Sequence, residues 1–311
     1  MRITNNMMMM GYLSNLNNNL AKVAKYEDQI ANGKAINALS DDPVGLISIL
    51  RIRGKLEKND EYTATVDAGL TWLKQTDTSA YELNQMIQSA YETAMEVSNS
   101  TYNEDDKAAS AEYIKQIRDH VLTIANSQSS DKYIYGGYNV NKAPFTIDAG
   151  GNILYNGLDL TNDTDPNLIA KDAESIVYEI GPGIKMDISI TGTELLGMGD
   201  GNIYTVLDNL YNDMMSNASA DVLSGYIGKL QDCQDHVLSV EAKVGGMMNR
   251  LELLQNRFGQ ENLTYTELKS KVEDVDYAEA YLNYSAAQSV YNAALQVSAQ
   301  ILQSSILDYL R

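Results

Sequence analysis

The chain has 311 residues, with 23 basic residues against 42 acidic ones and a net charge of -19. That balance opposes a nucleic-acid or anionic-membrane partner and points to proteins as packing partners. Its single cysteine, Cys233, excludes an internal disulfide, and no window approaches the ~18 consecutive apolar residues of a membrane span.

Residues 1 to about 31 are predicted to form a helix whose apolar row is Met9, Leu13, Leu16, Leu20, Val23 and Ile30, broken at Glu27. The other faces are crowded with asparagine, so this helix should order only against a partner. Arg2 and the Met7 to Met10 run sit among Asn5, Asn6 and Asn15, so no Sec-type signal peptide is expected. Asn32 and Gly33 supply a stop, and Ser40, Asp41, Asp42 and Pro43 announce a new start, with a carboxylate at the cap and proline in the first turn. Capping is a better account of the two aspartates than acid/base work, since no other catalytic group lies near them.

From Pro43 to about Asn99 the helical period persists, with Leu73, Ala80, Leu83, Ile87, Ala90, Ala94 and Val97 as its clear seam. Ser100 to Asp106 reads as a turn, and a further helix carries Ile114, Ile117, Val121 and Ile124. Between about Asp131 and Gly201 glycine becomes frequent and the apolar period drops to two. Ile176, Tyr178 and Ile180 face Ile184, Met186, Ile188 and Ile190 across Gly181, Pro182 and Gly183, a hairpin with a three-residue turn. Asn152 to Leu154, before Asn156 and Gly157, is expected to be another strand. Asp163, Asp165, Asn167 and Glu174 fall at the first, third, fifth and twelfth positions of a calcium loop. The sixth position, where that loop needs Gly, is Leu168, so calcium is not expected. Gly197, Gly199 and Gly201 lack the context of a phosphate cradle and read as a re-entry loop.

Helical texture resumes at about Asn202, pauses at Ser216 to Ser219, and leads into the most regular stretch of the chain. From Leu230 to Val275 the rod seam runs Leu230, Cys233, Val237, Val240, Val244, Met247, Leu251, Leu254, Phe258, Glu261, Tyr265, Leu268, Val272 and Val275. One such helix would be roughly 70 Å long and needs partners equally long. Gly245 and Gly246 inside it predict a close approach to the backbone, and Cys233 reads as a small core residue. Beyond Val275 the row shifts to Ala280, Ala287, Val290, Ala294, Val297 and Ile301, and a second row of Tyr281, Leu295, Leu302 and Tyr309 widens it. A helix apolar on two sides wants more than one neighbour, including other subunits.

The expected fold is mainly α: a long coiled-coil helical rod built from the amino- and carboxy-terminal regions, with a small inserted β-rich domain. The expected division is 1–40 with 275–311 as paired terminal helices, 41–130 with 202–274 as a helical bundle, and 131–201 as the insert. The expected assembly interface is Met9, Leu13, Leu16, Leu20, Val23, Ala287, Val290, Ala294, Val297, Ile301 and Leu302. No catalytic residue, metal site or cofactor is expected. His120 and His236 read as surface histidines, and 131–201 contains no His or Cys.

Several short motifs carry a family resemblance. Met1-Arg2-Ile3-Thr4, Ala31-Asn32-Gly33-Lys34, Ser40-Asp41-Asp42-Pro43 and the Tyr133 to Phe145 segment resemble the flagellin superfamily. So do Asn249-Arg250-Leu251-Glu252, Glu273-Asp274-Val275-Asp276-Tyr277-Ala278-Glu279-Ala280 and the finish Ser304-Ser305-Ile306-Leu307-Asp308-Tyr309-Leu310. The short chain and its two ends are most similar to the hook-associated branch of that superfamily. The resemblance implies an inner layer of paired terminal helices, a second layer of long helices and a variable outer domain. It also implies a non-enzymatic ring of copies between a second hook-associated protein and the first flagellin subunits. The subunits would leave the cell unfolded through the flagellar type III apparatus, their last helix held by a dedicated export chaperone. The chain departs from the family in having Tyr135 before Gly136 and Gly137, where Phe before one Gly is frequent. Flagellin itself, and an adhesin or enzyme carried on a flagellar scaffold, are the alternatives.

Overall fold

The computed structural model describes the backbone of residues 2–98 and 103–309 and the side chains of residues 7, 9–98 and 103–298. The fold is mainly helical: α1 Arg2–Asn32, α2 Pro43–Val97, α3 Glu104–Ala125, α4 Pro166–Asp172, α5 Gly192–Leu196, α6 Ile203–Met215, α7 Ala220–Glu273 and α8 Tyr277–Tyr309. Between α3 and α5 run seven short strands: β1 Gln128–Ser129, β2 Lys132–Tyr133, β3 Phe145–Ile147, β4 Ile153–Tyr155, β5 Leu158–Asp159, β6 Val177–Gly181 and β7 Ile184–Asp187. The chain forms two compact units, residues 1–60 with 260–311 and residues 61–259, so the divisions fall inside α2 and α7.

In the second unit the rows read from the sequence become the core. Leu73, Ala80, Leu83, Ile87, Ala90, Ala94 and Val97 of α2 are fully buried, and Ile114, Ile117, Val121 and Ile124 of α3 meet them. Val237, Val240, Val244, Leu251 and Phe258 of α7 are buried in the same cluster, with Met247 and Leu254 partly buried against it. Phe258 stacks on Tyr62 of α2 at 5.9 Å between ring centroids. The strand-rich segment shares this core through Ile134, Tyr135, Phe145, Ile153 and Tyr155. Asn126, at the end of α3, pins it by accepting the Phe145 N–H and donating to the Phe145 carbonyl, both at 3.0 Å. The Tyr155 hydroxyl donates to the Tyr135 carbonyl at 3.0 Å, and the Tyr135 hydroxyl donates to the Thr76 carbonyl of α2 at 3.2 Å. The family-atypical Tyr135 is thus fully buried with its extra polar group satisfied.

Local turns follow their chemistry. β4 and β5 join through Asn156 and Gly157, with φ of 51° and 85°, the left-handed pair that a two-residue hairpin requires. The β6–β7 hairpin is tighter than expected: Gly181 pairs with Ile184, leaving Pro182 and Gly183 as the turn, and an irregularity between Glu179 and Gly181 absorbs the extra residue. β7 ends at Asp187, whose carboxylate accepts from the Ser189 N–H at 2.9 Å and hydroxyl at 2.7 Å; beyond it the Ile188 N–H still donates to the Ile176 carbonyl at 3.2 Å, and the Ser189 hydroxyl oxygen accepts the Ile176 N–H at 3.0 Å.

Three other expectations need correction. Glu104 to Asp106 are not a turn; they form the first turn of α3, where Asn103 accepts the Asp106 N–H at 2.8 Å and three carboxylates face the positive end of the helix dipole. The remainder of the expected turn, 99–102, lies outside the described residues. The long helix stops at Glu273 instead of reaching Val275, because Val275 donates its N–H to the Gly33 carbonyl at 3.0 Å. Among the described residues nothing packs closely where a side chain at Gly245 or Gly246 would stand: a Cβ built at either has nothing within 4 Å beyond its own stretch of helix.

Candidate assembly surface and its joint

Within the first unit, α1 packs along α8. The two helices are tied where the Tyr12 hydroxyl meets the Ala294 carbonyl and the Ser298 hydroxyl donates to Tyr12 at 2.7 Å. The apolar rows are wider than this contact covers. Of the expected α1 row, Leu16 and Val23 are half-buried, whereas Met9 and Leu13 are 50% and 48% exposed and Leu20 is also exposed. On α8, Ala287 and Ala294 are half-buried, while Val290 and Val297 are 54% and 48% exposed. Ile301 and Leu302 lie outside the described side chains. Met7, Met10, Tyr281, Leu282 and Leu295 are exposed as well. Each α-helix therefore spends one part of its apolar row on the other and leaves the remainder in water, a surface suited to burial against further subunits.

Two motifs more than two hundred residues apart in sequence meet at the base of this pair. Gly33 ends α1 in the left-handed region, φ 71°, and a Cβ there would lie 2.7 Å from the Tyr277 hydroxyl, so both backbone angle and space call for glycine. Lys34 pairs with Asp274 in an antiparallel bridge, flanked by Ala35 N–H to Glu273 carbonyl at 2.7 Å and Val275 N–H to Gly33 carbonyl at 3.0 Å. Asp276 then restarts the chain as α8 by accepting the Ala278 and Glu279 N–H groups at 2.9 and 3.3 Å. Asp42 caps α2 through the Val44 N–H at 3.0 Å, and Asp41 receives the Asn37 and Ala38 N–H groups and pairs with Lys25 at 2.9 Å. Lys25 and the two N–H groups hold the Asp41 carboxyl below its usual range.

At the centre of the joint is Glu273, 2% exposed. Its Oε1 receives Arg53 at 2.6 Å and Lys34 at 2.8 Å, and Oε2 faces Lys269 at 3.8 Å without a hydrogen bond. Burial pushes the carboxyl up, but the bonds from Lys34 and Arg53 outweigh it and leave the pKa below the ordinary glutamate value. The sequence reading missed this cluster. Asp274 and Asp276, on either side of Val275, were the available signal for a helix stop and restart; Glu273 and Lys34 stood in the motifs of the family resemblance, but neither was given a role.

The remaining candidates have structural partners. Asp165 caps α4 by accepting the Asn167 N–H at 2.8 Å, while Glu174 pairs with Lys171 at 2.6 Å and accepts the Tyr138 N–H at 2.9 Å. Asp163 lies beside Gly199. Among the described residues no group of three or more His, Cys, Asp and Glu is arranged to hold a metal ion. Exposed His236 contacts the Glu194 carbonyl at 2.7 Å, and His120 is exposed. No helix among the described residues is long and apolar enough to cross a membrane.

Comparison with known families agrees with this arrangement. The model of the bacterial flagellin N-terminal helical region matches residues 3–139, and that of the C-terminal helical region matches residues 227–310, together more than half of the chain. The chain belongs to the flagellin family. Within that family it is similar to the flagellar hook-associated protein 3 of Escherichia coli K12, 25% identical over 94% of this chain and 95% of that protein. It is also 22% identical to the flagellin of Bacillus subtilis strain 168 over 100% of both chains. Its fold matches the crystal structure of the flagellar junction protein FlgL from Legionella pneumophila, with a TM-score of 0.59 at 12% identity over 74% of this chain and 100% of that one.

Proposed function

We propose that the chain is a structural subunit joining the bacterial flagellar hook to the filament, outside the cell, where it receives the first flagellin subunits. The observation that carries this reading is the end-to-end likeness to flagellar hook-associated protein 3. The half-covered rows of α1 and α8 support it, since they suit a protein completed by its neighbours. Those neighbours are further copies in a ring, a second hook-associated protein and flagellin, and an export chaperone would cover α8 beforehand. The proposed layers are 1–40 with 275–311 innermost, then 41–130 with 202–274, and 131–201 outermost. The mechanism is assembly without turnover: export leaves the terminal rows unpaired, and the ordering entropy of α1 and α8 is offset when neighbours cover them at the growing tip.

Deletion of the gene tests the role. Retained hooks, absent filaments and monomeric flagellin shed into the medium are expected, because export continues without a site to receive the subunits. Filaments that persist would sink the junction role. Loss of the major filament protein itself would favour the second reading, a flagellin, which rests on the full-length likeness to the Bacillus subtilis protein.

A further inference from the structure

Residues 7–10 of α1 are four consecutive methionines. Successive residues of an α-helix are about 100° apart, so four in a row encircle it. Whichever side of this turn is covered on assembly, a thioether lies on it. Met7, Met9 and Met10 are 69%, 50% and 71% exposed, whereas Met214 in the second unit is 1% exposed and Met186 is buried too. A diffusible oxidant therefore meets the thioethers of Met7, Met9 and Met10 while those of Met186 and Met214 are shielded.

We propose that the methionine girdle at residues 7–10 is an oxidation site that decides whether α1 can be covered by another copy of this chain; the proposal rests on the assembly reading above. The oxidant is a peroxide. With hydrogen peroxide, the thioether sulfur attacks one oxygen, an S–O bond forms as the O–O bond breaks, the sulfur gives up two electrons, and the proton on the attacked oxygen passes to the departing hydroxide, which leaves as water. The product sulfoxide is polar and chiral, so a contact suited to a flexible apolar side chain would have to bury an unpaired oxygen. A sulfoxide anywhere on the girdle opposes burial of that turn, while in the monomer Met7, Met9 and Met10 are exposed, so oxidation there leaves the fold of the chain in place.

The test uses the full chain treated with hydrogen peroxide, with sulfoxides located by peptide mass spectrometry and self-association followed by sedimentation velocity. A second chain carries Met7→Leu, Met8→Leu, Met9→Leu and Met10→Leu, which keep apolar character and helix propensity but cannot form sulfoxides. The girdle is expected to oxidise well before Met186 and Met214. Wild-type association should weaken roughly tenfold or more, and the leucine variant should hold its association under the same treatment. Undiminished association of a chain oxidised at all four positions would overturn the proposal. Equal loss in the leucine variant would overturn it too, assigning the effect to other methionines such as the exposed Met95 and Met215. An untreated chain that never associates would overturn the assembly reading and this proposal with it, an outcome distinguished because it precedes any oxidation.

Discussion

Glu273 shows how much one side chain can decide. Its carboxylate is shared by Arg53 and Lys34, its own carbonyl accepts the Ala35 N–H, and two residues on, Val275 donates its N–H to the Gly33 carbonyl. Replacing it by glutamine keeps the shape but leaves two cations without their counter-charge, at a cost of about 2 kcal/mol for hydrogen bonds to a charged group. Because the folded pKa lies below the unfolded one, this stabilisation is fully present above the ordinary glutamate value of about 4.3 and is lost as pH falls through the folded value. Urea unfolding should therefore separate wild type from Glu273→Gln near about pH 7, and the difference should shrink as the pH falls below the ordinary glutamate value and through the lower folded one. Cys233 is the opposite case, a group the fold silences. Burial, and secondly the nearby Asp232 charge, push its thiol up to about 11, so the thiolate is scarce at neutral pH. A disulfide reagent should label the native chain at least roughly a hundredfold more slowly than the urea-unfolded one; comparable rates would mean that the α7 seam opens readily.

At the scale of elements, legibility followed how completely an apolar row is buried by its own chain. The α2 row from Leu73 to Val97 was readable because every member points into one dry core, so the three-four spacing has nothing to compete with. The α7 seam was readable from Leu230 to Phe258 for the same reason, whereas beyond it Leu268 is 44% exposed and the period no longer reports burial. Val275 kept the spacing while its N–H served Gly33, so an apolar residue at a broken joint looked like one more helical position. Glycines 245 and 246 misled because a lost side chain signals close approach only if something approaches. The assembly rows were legible as rows, but which half faces a neighbour depends on packing that one chain does not contain. Leucine to alanine at two positions separates these classes. Leu83→Ala, at a fully buried site, should lower unfolding stability by about 2–5 kcal/mol. Leu13→Ala, on the outer face of α1, should stay within about 0.5 kcal/mol of wild type in the monomer while weakening self-association. Calorimetry and sedimentation on both variants check the crossover, and a large stability loss in Leu13→Ala would assign that side chain to the internal pair.

Over the whole molecule, the acidity noted at the outset is not evenly shared. The unit of residues 1–60 and 260–311 holds 11 basic and 13 acidic residues, a balance of -2, while residues 61–259 hold 12 basic and 29 acidic ones, a balance of -17. The near-neutral unit carries the half-covered α1 and α8 rows, so copies meeting there gain apolar contact with little local repulsion. Every copy nevertheless brings a strongly acidic unit, and like charges oppose the assembly as a whole. Screening should tip this balance, since the Debye length falls from ~30 Å at ~0.01 M salt to ~10 Å at ~0.1 M. Self-association is therefore expected to strengthen as sodium chloride rises across that range. Removing exposed charge from the acidic unit, by Glu82→Gln, Asp131→Asn, Asp200→Asn, Asp232→Asn, Asp235→Asn and Glu252→Gln, should strengthen association at low salt and flatten the dependence. Association that weakens with added salt would instead require attraction between opposite charges on neighbouring copies, because screening diminishes attraction and repulsion alike and leaves apolar burial in place.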